Sequence, residues 1–235
     1  MEEFKEILSL KLLPVGVKFL QKEESTKGEF LAKKLTFCQF VHGASQERCL
    51  FKITKENLGC ASAQFVFGFR EYNEKDIDHH LRQFTFSKES AKKLIEIKPK
   101  LPINQFTGLL VGDINSFTPD KPDVVILIID SAQALPLIEA YTTAYEKDIT
   151  FCNGVSSAVC SYGVVFAYQT KKPNLTIPCV GAKRYGLFQD HQLVFSLPWE
   201  VAQEIKNQLI RFAKSNKLHL PIKQAYYSPV KENEK

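Results

Sequence analysis

Between Pro122 and Asp130 the chain reads PDVVILIID, and every residue from Val124 to Ile129 is β-branched or leucine. A strand with one wet face alternates apolar and polar residues. A strand this uniformly apolar needs cover on both faces, so the chain must place helices on either side of a sheet. The same run is far too short to cross a bilayer, which takes about 20 residues. SAQALPLIEAYTTAYE follows at once and is helical in composition, with Ser131 as its expected N-cap and Pro136 near its first turn or at a kink. A strand joined tightly to a helix is a frequent setting for a ligand at the strand's C-terminal end.

The remaining segments supply the other layers. Apolar spacing predicts helices over 2–13, over 31–43 with Gly43 as its stop, over 88–97 behind a Ser87 N-cap, and over 199–214, where Val201, Ile205, Leu209 and Phe212 share one face. PVGVKFL, CLFKIT, FTGLLVGDI and HQLVFSLP read as strands, with the Pro/Asp turn NSFTPDK between FTGLLVGDI and PDVVILIID. ASAQFVFGF is helix or strand, FCNGVSSAVCSYGVVFAY fits no simple period, and NLTIPCVGAKRYG is loop or strand. Phenylalanine is abundant, and Phe65, Phe67, Phe69, Phe84 and Phe86 are expected in the core. No repeat or low-complexity linker divides the chain. The expectation is one α+β domain over residues 1–235, a mixed sheet flanked by helices, with a frayed tail at about 224–235.

The net charge of +5 is a mild excess, and no basic run is interleaved with aromatics, which argues against a nucleic-acid partner. MEEFKEIL opens with acids and no apolar signal region follows before Pro14, so the expected setting is cytoplasmic, with no membrane association. In that compartment the six cysteines are expected as thiols, ligands or redox groups rather than disulfides.

The thiols are the best handle on function. Cys60, Cys152, Cys160 and Cys179 stand beside glycine or small residues, which let the backbone turn tightly and face amides toward sulfur or an anion. Their separations of 11, 11, 92, 8 and 19 residues contain no CxxC and no ferredoxin spacing. Three readings stand side by side: metal or cluster ligands gathered from distant segments, small buried hydrophobes, or a nucleophile needing a histidine partner. His42 lies four residues after Cys38 and reads as a core-edge histidine, while the adjacent pair His79–His80 reads as surface. Lys183 and Arg184 follow CVGA and would suit an anionic ligand or a thiolate. There is no GxGxxG, P-loop, HExxH or GxSxG, so no reaction is assigned.

The order of LPVGVKF, FCQFVHGA, GCASAQFVFG, PDVVILIIDSAQALPLIEAY, SSAVC, CVGAKR and HQLVFSLP resembles the bacterial and archaeal family known as domain of unknown function 169, over roughly residues 3–215. The resemblance carries no activity. It implies that the recurring thiols are Cys38, Cys60, Cys160 and Cys179, and it sets Cys49 and Cys152 aside. Its C-x-G-x-x-R-like element is Cys179, Gly181 and Arg184; some members carry a further cysteine where Ala182 stands here. Its PxQ-like element is Ser131-Ala132-Gln133, with Ser in place of Pro.

Four thiols match the ligand number of a cubane cluster. The leading expectation is therefore an iron–sulfur or other metal-binding protein with Cys38, Cys60, Cys160 and Cys179 as ligands and Lys183 and Arg184 offsetting their charge. The alternative is a binder of, or enzyme on, a small anionic metabolite, with a pocket past the 123–129 strand near Ser131, Gln133, Lys183 and Arg184. A redox partner or small molecule, and self-association, complete the expected partners.

Overall fold

The computed structural model describes residues 2–21 and 28–221. In chain order its elements are α1 (Glu2–Ile7), β1 (Val15–Leu20), α2 (Phe37–Gln46), β2 (Leu50–Ile53), α3 (Ala61–Val66), α4 (Glu74–Phe84), α5 (Lys88–Glu96), β3 (Gly108–Asp113), β4 (Val124–Ile129) and α6 (Ser131–Tyr145). A π-helix (Ala158–Val165) then runs into α7 (Phe166–Thr170), followed by β5 (Asn174–Thr176), α8 (Val180–Gly186), β6 (Leu193–Pro198) and α9 (Trp199–Lys214). The fold is α+β. The expected tail at 224–235 lies outside the described residues.

The six strands form one sheet in the order β2-β3-β1-β4-β6-β5. Every pairing between these strands is antiparallel, where a mixed sheet was expected; parallel geometry is confined to the single bridges Glu29–Phe51 and Leu35–Leu58. The reason is the placement of β1. It lies between β3 and β4, pairing Val17 with both Val111 and Val124, so the two runs flanking NSFTPDK point the same way without touching. β4 and β6 are antiparallel, so β4–α6 does not belong to a crossover unit with parallel strands.

Each sheet face has its own core. Val124, Ile126 and Ile128 of β4 join Phe37, Phe40, Phe65, Phe67 and Cys160 on one face, while Val125, Leu127 and Ile129 join Phe4, Leu137, Ile205 and Leu209 on the other. All six β4 residues are buried, as the sequence required. The second face carries the long helices α6 and α9. The first carries short ones, among them α2, α3 and α8.

Local capping explains where the elements begin. The helix expected over 31–43 starts instead at Phe37, because Thr36 and Gln39 form a reciprocal capping box, and it runs past Gly43 to Gln46. Leu35 is held outside it by the Leu58 bridge. Asp130, not Ser131, caps α6 by accepting from the Gln133 amide. The helix expected over 2–13 ends at Ile7, and CVGAKR, expected as loop or strand, lies at the start of α8. Phe65, Phe67 and Phe69 are buried, but Phe86 is fully exposed between α4 and α5.

Gly68, after α3, holds φ +75°, and a Cβ there would run into the Pro102 carbonyl oxygen. Gly68→Ala is therefore expected to destabilise the fold by more than about 1 kcal/mol, read as a lowered urea midpoint.

Candidate functional site

Four helix beginnings on the first sheet face carry the four thiols. Cys38 is in the first turn of α2, Cys60 and Cys179 are the N-cap residues of α3 and α8, and Cys160 is in the first turn of the π-helix. The backbone around them is tightly held. Gly59 donates to the Leu35 carbonyl (2.7 Å) ahead of Cys60, and buried Asn57 braces the same loop by accepting from Thr54 and donating to the Lys52 carbonyl. Gly186 sits against Cys38; a Cβ there would stand 2.5 Å from the Cys38 Cβ, so only glycine lets the end of α8 approach α2 this closely.

The thiols sense one another. Cys38 interacts electrostatically with Cys60, Cys160 and Cys179, Cys160 with Cys60 and Cys179, and Cys60 with Cys179, which covers all six pairs. Burial pushes the Cys38, Cys60 and Cys160 thiols up, and the neighbouring sulfurs push further in the same direction. At Cys60 the Ser62 and Ala63 amides oppose the shift; they face the sulfur without completing a cap hydrogen bond. Cys160 donates its S–H to the Ser157 carbonyl, the neutral form that burial favours. Cys49 stands apart: burial first, then Glu47, Asp113 and Glu29, push it to about 11. Cys152 is exposed. The six cysteines are all free thiols.

Beside the thiols lies a polar group that sequence reasoning missed. Lys98, His80 and Ser156 are all buried. Lys98 Nζ is 2.6 Å from His80 Nε2 and 2.6 Å from Ser156 Oγ, and Ser156 Oγ is 3.3 Å from His80 Nε2. His80 Nδ1 lies 2.8 Å from the Asp76 carbonyl, which only accepts, so Nδ1 carries the proton and Nε2 accepts from Lys98. The Asp76 carboxylate takes both Arg70 guanidinium nitrogens at 2.7 Å. Lys98 Nζ is also 5.4 Å from the centre of the Phe65 ring. Burial pulls Lys98 down to about 8, while Cys160, Cys179, Asp76 and Cys60 hold it up. His80, expected at the surface with its neighbour His79, is instead buried, because Ile77, His80 and Phe84 sit at helical spacing on α4's inner side.

The other expected site residues lie elsewhere or have other partners. Gln133 accepts from the Asp130 amide and donates to the Leu8 and Ser9 carbonyls, fixing the start of α6 to the end of α1. Lys183 pairs with Asp190 at 2.8 Å, and Arg184 is exposed. α6 packs on one sheet face and α8 on the other, through Ala134 and Ala182 respectively, so Ser131 and Gln133 are not brought to Lys183 and Arg184. Among the described residues no three His, Cys, Asp or Glu side chains stand close enough together to hold a single metal ion. No helix among them is long and apolar enough to cross a membrane.

The sequence profile of DUF169, described as an uncharacterised ArCR family, matches residues 3–208. The chain belongs to the DUF169 family. Over 225 residues it is 27% identical to the uncharacterized protein MJ0308 of Methanocaldococcus jannaschii, covering 90% of this chain and 94% of that protein. No solved structure matches the chain significantly.

The buried thiols and the lysine have opposite effects on stability as pH rises. An unfolded thiol releases its proton near pH 8.5, whereas Cys38, Cys60 and Cys160 keep theirs in the fold, so stability falls above that pH. Lys98, depressed to about 8, is relieved of its burial cost between about 8 and 10.5 and partly offsets the fall. Urea unfolding of the reduced, metal-free protein between pH 8 and 10 is expected to show declining stability, a shallower decline in Cys160→Ala and a steeper one in Lys98→Met.

Proposed function

We propose that this DUF169 protein binds an iron–sulfur cluster through Cys38, Cys60, Cys160 and Cys179. The observation that carries the reading is the placement of these four thiols at the beginnings of four helices packed on one sheet face. Four thiolates on one tetrahedral ion would stand about 3.7 Å apart, given metal–sulfur bonds of about 2.3 Å. Among the described residues no three ligand side chains stand close enough for one ion, and a cubane spreads its corner ligands more widely, so the reading is of a cluster and not a mononuclear centre.

The surroundings fit the charge of such a group. A thiolate-ligated cluster is anionic, and helix beginnings present unpaired amides and partial positive charge to it. Lys98 supplies a buried cation on the same side. In this reading it takes the charge-balancing role expected of Lys183 and Arg184, whose side chains are surface-directed. The raised Cys38, Cys60 and Cys160 thiols also set what assembly requires: they must give up protons as the group binds, so affinity should rise with pH.

Anaerobic reconstitution with ferrous iron and sulfide tests the proposal. The expected product is brown, with a broad visible band and about four iron and four sulfide per chain, as a cubane requires. Cys60→Ser should lose most of the colour, and Cys49→Ser should keep it. A folded wild-type protein that stays colourless and iron-free, or equal loss in the two variants, contradicts the proposal.

A further inference from the structure

We infer that Ser156 is an activated nucleophile, with Lys98 as its base, for acyl transfer from a small uncharged ester or amide. The inference goes beyond the cluster and concerns the cluster-free protein, because a bound anionic cluster would hold the proton on Lys98 that a base must be able to lose.

The three polar groups come from distant parts of the chain. His80 belongs to α4, Lys98 follows α5, and Ser156 precedes the π-helix. Serines that only brace the fold spend their hydroxyls on backbone carbonyls, as Ser45 does on His42 and Ser161 on Pro99. Ser156 faces an amine and an imidazole instead. The His80 tautomer gives the network a direction. Its Nδ1–H is spent on the Asp76 carbonyl, and charged Lys98 donates to both His80 Nε2 and Ser156 Oγ; on losing a proton Lys98 keeps its donation to His80 and turns a lone pair to the Ser156 hydroxyl. His80 is a positioning residue in this arrangement. Burial favours the neutral amine, against the Phe65 ring 5.4 Å away, which favours the cation; about a tenth of Lys98 is unprotonated at pH 7 for a group at about 8.

The next residue offers a place for a developing oxyanion. Ser157 holds φ 59° and ψ 29° and is followed directly by the π-helix. A left-handed residue leading into right-handed ones turns successive amides toward one concave point, which favours a partial negative charge. The Ser157 hydroxyl is buried at 7% exposure and has no hydrogen-bond partner. Ser156 itself is 8% exposed, next to Val155 at 51%. Arg70 is committed to Asp76 and Lys98 is the base, so the group has no spare cation for a carboxylate or phosphate. That favours an uncharged acyl group.

As Ser156 Oγ bonds to the acyl carbon, its proton passes to Lys98 Nζ and the carbonyl electron pair moves onto oxygen. Collapse breaks the bond to the alcohol or amine, which leaves with the Lys98 proton. Water then attacks the acyl-serine, giving one proton through Lys98 to the departing Ser156 Oγ. The net change is ester or amide plus water to acid plus alcohol or amine.

The test is covalent labelling of the folded full chain with an alkyl fluorophosphonate, in both its iron-loaded and iron-free forms, mapped by mass spectrometry. One adduct per chain on Ser156 is expected in the iron-free form. Ser156→Ala, which removes a single oxygen, should abolish it with circular dichroism unchanged, and Lys98→Arg should slow it at least tenfold. No adduct in the iron-free form, an adduct on another residue, or undiminished labelling in folded Lys98→Arg overturns the inference. Iron content, measured on the same samples, reports separately on the cluster.

Discussion

β4 is buried along its whole length on both faces, and the rest of the molecule is arranged to keep it so. Its alternating residues feed two separate cores, one under α6 and α9 and one under α2, α3 and the π-helix. The first of these layers is made of long helices whose ends lie far apart. The second is made of short ones, and short helices place many beginnings over a small area. Each beginning leaves amides without intrahelical partners. Four of them carry a cysteine, so the layer that covers β4 is also the one in which unpaired amides and sulfur come together.

Burying Lys98 in that layer is costly unless its donors are used. His80 and Ser156 accept two of its three hydrogen bonds. The empty protein thus holds the raised Cys38, Cys60 and Cys160 thiols beside a lysine whose hold on its proton is weakened by burial. An anionic group bound by the thiols would reverse both tendencies, drawing protons off sulfur and holding one on Lys98. The π-helix belongs to the same logic. It is buried at every residue, and it sets Ser156, Ser157 and Cys160 on one tight stretch between β5 and α3. Such widened turns are frequent at functional sites.

What could be read from the sequence was what has a long period or a strong local signal. β4, β6 and α9 are uniform or cleanly periodic, and their limits agree with the expected segments. Helix α2 was misplaced because Leu31 and Leu35 extend its apolar spacing while belonging to a bridged segment; the Thr36–Gln39 box was the better local signal. The all-antiparallel sheet was hidden because β1 enters between two strands that are neighbours in sequence. The thiols share no spacing motif because each comes from a different helix, and only the family resemblance pointed to them. His80 left a weak trace at helical spacing. Lys98 left none: a lysine before Pro99 reads as a helix-end cation, and only tertiary packing buries it.

The account rests on a shared centre for the four sulfurs, and its most direct test is an anomalous difference map at the iron edge from anaerobically grown crystals of the reconstituted protein. The account predicts one compact iron peak bounded by the beginnings of α2, α3, the π-helix and α8, with all four cysteine sulfurs bonded to it. An iron peak elsewhere in the molecule, or four separate protonated thiols with no iron between them, would contradict it.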